Sequence, residues 1–421
     1  MGSAIAQPTL AVIRRIVSFR GVSFVDEFNR LNPTTRVERS MGATLAQARE
    51  SMSRDRLSLA DFEKLISPAA GKALEELAAR SAALTQQRFG KVIRLFAPLY
   101  VSNECINNCS YCGFSRDNAI LRVTLSVDEI VAETRALKEQ GFRNILLVAG
   151  EHPKFVDNGY LAECIRAAHR EVPGVSLEVG PMEQEEYEGM VAAGSEGLVV
   201  YQETYDREMY AEMHTAGPKR NFDWRLETPE RAHAAGFRRL GIGALFGLAD
   251  WRHEAICVAA HAEYLMRHCW KSQLTISFPR LRPCAGAFQP RTSFDDRSLV
   301  QLICAFRLFL PDIGIVLSTR EPAKLRDGLI PLGVTLMSAG SHTEPGGYTG
   351  AGKDNLHHTV RGRVVELAAG SSEWEAEPGR QTNATGQFEI ADDRSSTDVA
   401  RQITALGYEP VWKDFDAALT T

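Results

Sequence analysis

Three cysteines stand within eight residues, as Cys105-x3-Cys109-x2-Cys112, in the polar stretch SNECINNCSYCGFSRDN. Thiolates crowded on one loop point to a metal or cluster site. A closed structural zinc site needs four ligands, and the next cysteine and histidine along the chain are Cys164 and His152. A [4Fe–4S] cube also takes four cysteines as a rule. Three therefore leave one iron without a protein ligand and open to a small molecule. Asn107, Asn108 and Gly113 suit the tight turns that would fold the loop around a cluster.

The other five cysteines are dispersed. Cys164, Cys257, Cys269 and Cys304 fall in predicted helices and read as small buried side chains, while Cys284 lies near a strand end. No HxH or HxxxH pair occurs among the ten histidines, and His357-His358 reads as solvated. Eight cysteines in 421 residues are too dilute for a disulfide scaffold. The chain is 44% hydrophobic and 24% charged, has a formal net charge of -5 and lacks any uninterrupted apolar run of membrane-spanning length. These figures speak against binding to nucleic acid or membrane and for a cytoplasmic protein. Residues 1–25 carry Arg14, Arg15 and Arg20 with no acid before Asp26, a faint likeness to an organellar transit peptide.

The elements that must position the cysteines follow from apolar patterning. Eight short apolar runs, at 92–101, 144–150, 175–181, 197–203, 240–247, 274–283, 314–320 and 333–339, are separated mostly by helix-like stretches such as SVDEIVAETRALKEQGF. Strands alternating with helices build parallel βαβ units, and eight units close a (β/α)8 TIM-type barrel, whose chemistry sits at the C-terminal strand ends. Residues 1–90 form an N-terminal extension with helices over 43–90, where Asp61 and Ser67 are candidate helix starts. The barrel occupies 91–340. Residues 341–421 form a C-terminal segment with an irregular insertion at 351–386, then a strand-like start, a helix and a closing aromatic segment over 387–416.

CxxxCxxC after the first barrel strand resembles the signature of the radical S-adenosylmethionine enzymes. PLYVSNECINNCSYCGFS, LLVAGEH, VYQETYD, WRLETPERAHAAGF, SFPRLRPC, LSTREP and EPVWKDFD, in that order from residue 98 to 416, are together similar to the tyrosine lyase (2-iminoacetate synthase) family of thiamine thiazole biosynthesis. The resemblance implies a [4Fe–4S] cluster on Cys105, Cys109 and Cys112, with S-adenosylmethionine chelated to the open iron. Tyr111 would pack near adenine, which would also approach Gly241 and Gly243. Gly150 and Glu151 would face the methionine amino group, Glu203 the ribose hydroxyls and Arg225 the methionine carboxylate. Arg320 would bind the carboxylate of L-tyrosine, while Ser338 and Tyr100 fix its amine. Arg282 is a second cationic candidate, with a salt bridge between barrel layers as its alternative.

The implied reaction breaks the tyrosine Cα–Cβ bond to give 2-iminoacetate (dehydroglycine) and 4-cresol, with 5′-deoxyadenosine and methionine. A thiazole synthase would consume the imine, and a flavodoxin- or ferredoxin-like protein would supply electrons. The tyrosine lyase of hydrogenase maturation carries a second cluster on C-terminal cysteines, and no cysteine follows Cys304 here. A tryptophan lyase of the indolic-acid type and a non-catalytic barrel with a zinc-filled loop are the remaining alternatives.

Overall fold

The computed structural model describes residues 23–360, 363–366 and 383–412. The basic N-terminal stretch falls almost entirely outside these residues, as do residues 367–382 of the insertion.

All eight predicted runs enter one closed parallel barrel. Its strands are β1 (Val92–Ser102), β2 (Asn144–Ala149), β3 (Gly174–Glu178), β4 (Gly197–Val199), β5 (Arg239–Gly243), β6 (Gln273–Ser277), β7 (Gly314–Leu317) and β8 (Leu336–Ser338). Each pairs with the next, and β8 closes on β1 through Arg94↔Leu336, Leu95↔Met337 and Phe96↔Ser338. Several runs outlast their strands at the C-terminal end. Beyond β4 and β5 only the single bridges Glu203↔Ala244 and Phe246↔Arg280 continue the ladder. The surplus residues belong to the mouth of the barrel.

Strand alternation sorts the side chains. Along β1, Ile93, Leu95, Ala97, Leu99 and Val101 are buried toward the helices. Arg94 and Phe96 face the axis, where they line a cavity. Small residues at Ser176, Gly197 and Gly241 leave that axis hollow instead of filled by interlocking side chains.

The N-terminal helices start earlier and are more numerous than the sequence reading expects: Phe24–Phe28, Pro33–Met41, Leu45–Ser53, Leu59–Leu65, Pro68–Gly71 and Leu74–Phe89. They are part of the main core, with Phe24 stacked on His261 (4.0 Å between centroids) and Phe62 edge-on to Phe306 (4.8 Å). Ser67 caps a helix as expected, but Asp61 does not. Ser58 is the cap, and Asp61 sits at the third helical position and returns the bond in a capping box.

The C-terminal segment departs from expectation in two places. The insertion holds an antiparallel hairpin, His357–Val360 with Arg363–Glu366, bridged to Arg122 at His357. Residues 387–390 form no strand. The chain over 385–392 instead bonds in turn to Leu121, Thr343, Pro283 and Thr319. It straps the loops of several barrel strands, which no pairing with one neighbour could do. The buried pair Arg326–Asp392 anchors the strap. A helix at Ser396–Ala405 then leads to β9 (Glu409–Val411), which pairs with the start of β1. The closing aromatic segment shows as Trp412 against Phe142 (5.1 Å).

Candidate active site

The cysteine loop leaves the C-terminal end of β1 and is tied down along its length. Asn103 accepts from the Val123 amide (2.8 Å) and donates to the Leu121 and Thr385 carbonyls. The Arg122 guanidinium, fully buried, donates to the carbonyls of Asn103 (2.6 Å) and Ser115 (2.8 Å). Asn107 donates to Glu151 Oε2 (2.6 Å) and accepts from the Lys219 amide (2.9 Å). Asn108 bonds Asp117 and Ser115. The glycines permit close backbone crossings. A Cβ on Gly113 would lie 2.5 Å from the Gln387 carbonyl of the strap, and one on Gly150 would lie 2.2 Å from the Glu104 carbonyl.

His357 is not solvated. Its Nε2 meets the buried Glu104 carboxylate at 2.8 Å, beside Thr359, so the hairpin latches the residue that precedes Cys105. The sequence reading missed this because the latch spans about 250 residues.

Cys105, Cys109 and Cys112 line one chamber, together with Gly150, Glu151 and Glu203. Lys219, Arg225, Glu178, Tyr201 and Gln387 complete its polar wall. Among the described residues, no three His, Cys, Asp or Glu side chains converge closely enough to hold a single metal ion. Burial pushes all three thiols up, so each thiolate requires a positive partner; Lys219 lies close enough to Cys109 and Cys112 to oppose the shift.

Glu203 adopts a left-handed backbone (φ 72°), uncommon for a residue with a side chain. Its Oε1 accepts from Lys219 Nζ at 2.7 Å and from Arg225 Nη2 at 3.4 Å. Burial disfavours the carboxylate, yet Lys219 and Arg225 hold it below its ordinary range. Arg225 also donates to the Tyr201 carbonyl (2.7 Å). The sequence reading assigned Glu203 and Arg225 separate ligand contacts; the chain joins them to each other and adds Lys219. Tyr111 does not line this chamber. It packs with Cys109, Met213 and Leu245, and its hydroxyl bonds His214 Nε2 at 2.7 Å. Gly241 and Gly243 do not line it either. The space that a Gly243 side chain would need is taken by the Ser277 carbonyl, 2.3 Å from an added Cβ, and by Tyr201.

Tyr100, Arg320 and Ser338 come together in a second chamber. Val148, Glu178, Tyr201 and Gln387 line both chambers, so the two abut. The Tyr100 hydroxyl donates to Gln387 Oε1 (2.8 Å), and Gln387 Nε2 approaches Cys112 Sγ at 3.8 Å. Ser338 Oγ accepts from the Thr319 amide at 3.2 Å. The Arg320 guanidinium stacks on Phe388 at 3.3 Å and reaches the Arg280 carbonyl at 3.4 Å. Arg282 is half-buried, lines neither chamber and donates to the Glu389 carbonyl (3.5 Å); among the described residues it forms no salt bridge. Cys284 bonds the Tyr111 carbonyl at 3.3 Å, outside both chambers.

Lys219, Gln387, Glu178 and Tyr201 escaped the sequence reading. The first two reach the site from distant segments and carry no local signal. Glu178 carried one: in VSLEVG it alternates in phase with Ser176, which places a carboxylate on the inner face of an otherwise apolar strand.

Comparison with known proteins agrees with this architecture. The Radical SAM superfamily model matches residues 99–257, and that of the Biotin and Thiamin Synthesis associated domain matches 277–409. The 2-iminoacetate synthase of Escherichia coli (strain K12) is 41% identical over 398 residues, 94% of this chain and 98% of the relative. Its counterpart from Salmonella typhimurium is 40% identical over the same length. The [FeFe]-hydrogenase maturase HydG from Carboxydothermus hydrogenoformans superposes with a TM-score of 0.75 at 33% identity, covering 96% of this chain and 84% of that one. Among the described residues no helix is long and apolar enough to cross a membrane. With near-complete coverage of those relatives at this identity, the chain belongs to the 2-iminoacetate synthase family of radical SAM enzymes.

Proposed function

We propose that this chain cleaves the Cα–Cβ bond of L-tyrosine to 2-iminoacetate and 4-cresol, with Cys105, Cys109 and Cys112 holding a [4Fe–4S] cluster and S-adenosylmethionine beside it. The observation that carries the reading is the abutment of a cysteine-lined chamber with one containing Tyr100, Arg320 and Ser338. The donor set fits the group. Three thiols on one wall without convergence on a single point suit a polynuclear cluster better than one zinc. When bound, the reduced cluster and S-adenosylmethionine supply a carbon radical able to take hydrogen from the substrate.

The chain's own residues do the positioning. Glu203, Lys219 and Arg225 form a charged wall for ribose hydroxyls and the methionine carboxylate. Gly150 and Glu151 face the methionine amine, and Tyr111 backs the cluster loop. Arg320, flat against Phe388, takes the tyrosine carboxylate in a geometry a lysine cannot copy. Ser338 and Tyr100 orient the amine. Phe96, Leu146 and Val316 offer the phenol ring an apolar wall and exclude water from it. A thiazole synthase that consumes the imine and a flavodoxin- or ferredoxin-like electron donor complete the proposal, in the cytoplasm.

The test is anaerobic turnover after reconstitution with iron and sulfide, using dithionite, S-adenosylmethionine and L-tyrosine. Roughly equal 5′-deoxyadenosine, 4-cresol and glyoxylate (from hydrolysed imine) are expected. Deoxyadenosine without 4-cresol would overturn tyrosine as the substrate and turn attention to tryptophan.

A further inference from the structure

We propose that Glu178 is the base that takes a proton from the substrate's α-ammonium, so that a hydrogen atom can then leave a neutral amine. The inference rests on the tyrosine-cleavage reading above and adds to it a residue and a step.

Glu178 ends β3 with its side chain on the inner face. It is the one carboxylate among the residues lining the substrate chamber, and it also lines the cofactor chamber. It therefore stands at the boundary, where the atom to be abstracted must lie. Arg320 sets the substrate carboxylate, and Phe96, Leu146 and Val316 lie along the part of this chamber shared with the hollow axis, where the ring fits. The amine is the substrate group left to face the boundary.

The charges around Glu178 suit a base. Tyr100 from β1, Tyr201 and Glu203 from the end of β4, Lys219, Arg225 and Arg320 all act on it or feel its charge. Burial and the Glu203 charge push its carboxyl up to about 7, against the pull of Arg320, Lys219 and Arg225, with no hydrogen bond contributing. At neutral pH such a group is ionised in part and readily protonated.

The step balances by itself. One N–H bond of the ammonium breaks heterolytically, the electron pair stays on nitrogen, and the proton bonds to a Glu178 carboxylate oxygen. An ion pair becomes a neutral amine beside a neutral acid, with no net charge change and no oxidant. In a water-poor chamber that direction is favoured, because two desolvated charges recover less from each other than they lose from water. An ammonium nitrogen has no lone pair to stabilise the radical left by hydrogen removal; an amine has one.

The experiment compares wild type, Glu178→Gln and Glu178→Asp as cluster-loaded protein. If wild type makes no 4-cresol, the tyrosine reading fails and this step goes with it. If it does, its kcat/KM should fall as pH drops through about 7, where the carboxylate of the free enzyme is lost. E178Q should lower kcat by roughly 10²-fold or more and abolish that acidic limb, while E178D keeps the limb with a smaller loss. A second readout needs no turnover. Titrating tyrosine into unreduced enzyme carrying S-adenosylmethionine, in buffers of different ionisation enthalpy at pH 7, should show release of about half a proton per tyrosine in wild type and none in E178Q. Unchanged kcat and limb in E178Q, or a loss confined to tyrosine affinity, would overturn the proposal.

Discussion

In the cysteine-lined chamber Glu203 is already engaged, by Lys219 at 2.7 Å and Arg225 at 3.4 Å. Across Tyr201, in the neighbouring chamber, Arg320 has no salt-bridge partner among the described residues and lies on the Phe388 ring, while no hydrogen bond contributes to Glu178. The same kinds of side chain are thus used in two ways. A buried, mutually compensated triad keeps its shape before anything binds. Charged groups without a salt bridge keep part of their desolvation penalty, to be relieved when an amino acid brings its own carboxylate and ammonium. The first arrangement favours a fixed cradle for a group common to many reactions. The second favours recognition, since a substrate lacking either charge leaves a buried ion uncompensated.

The largest expected effect lies in the first chamber. Cys109→Ala should leave a folded protein that retains little or no [4Fe–4S] cluster and forms no detectable 5′-deoxyadenosine, read as iron content and visible absorbance beside the product assay. Its Sγ is replaced by a small apolar group at a buried position, so folding should survive. Full iron content in this variant would break the assignment of three equivalent ligands.

In the second chamber, Arg320→Lys should raise the KM for tyrosine by ~10²-fold, the cost of about 2–3 kcal/mol in charge-assisted hydrogen bonds. Cluster content and S-adenosylmethionine affinity should stay within a factor of two. Parallel losses of both affinities would show that the chambers do not act separately.

What could be read from the chain alone divides along the same physical line. The cysteine spacing is local, and the eight apolar runs each report their own strand, so loop and barrel were legible. Strand ends were not. Runs such as 197–203 continue past the sheet, because the chain beyond Val199 carries Tyr201 and Glu203 into the mouth of the barrel, where they line the cysteine chamber. Lys219 and Gln387 join the site through contacts of long sequence separation, and so does the His357 latch on Glu104. At Gly243 the space that a side chain would need is taken by the Ser277 carbonyl, so a glycine that reads in the sequence as room for a ligand also serves a backbone crossing that only the fold reveals. Periodicity could have found Glu178, since an acid in phase with the inner face of a barrel strand needs a reason to be there.

The smallest effect sharpens the comparison most. Phe388 belongs to the C-terminal strap, whose backbone meets Thr343 on one side and Pro283 on the other. Its ring supports the Arg320 guanidinium at 3.3 Å. Phe388→Leu keeps an apolar side chain under the strap but removes the π face. A cation–π contact of this kind is worth about 0.5–1 kcal/mol, so the KM for tyrosine should rise roughly two- to five-fold. The guanidinium remains, hence kcat at saturation should hold, as should S-adenosylmethionine affinity. A larger fall in kcat than in affinity would mean that the strap orders Gln387, one residue away, and through it the Tyr100 hydroxyl at 2.8 Å. In that case the strap would couple the two chambers, because Gln387 lines both.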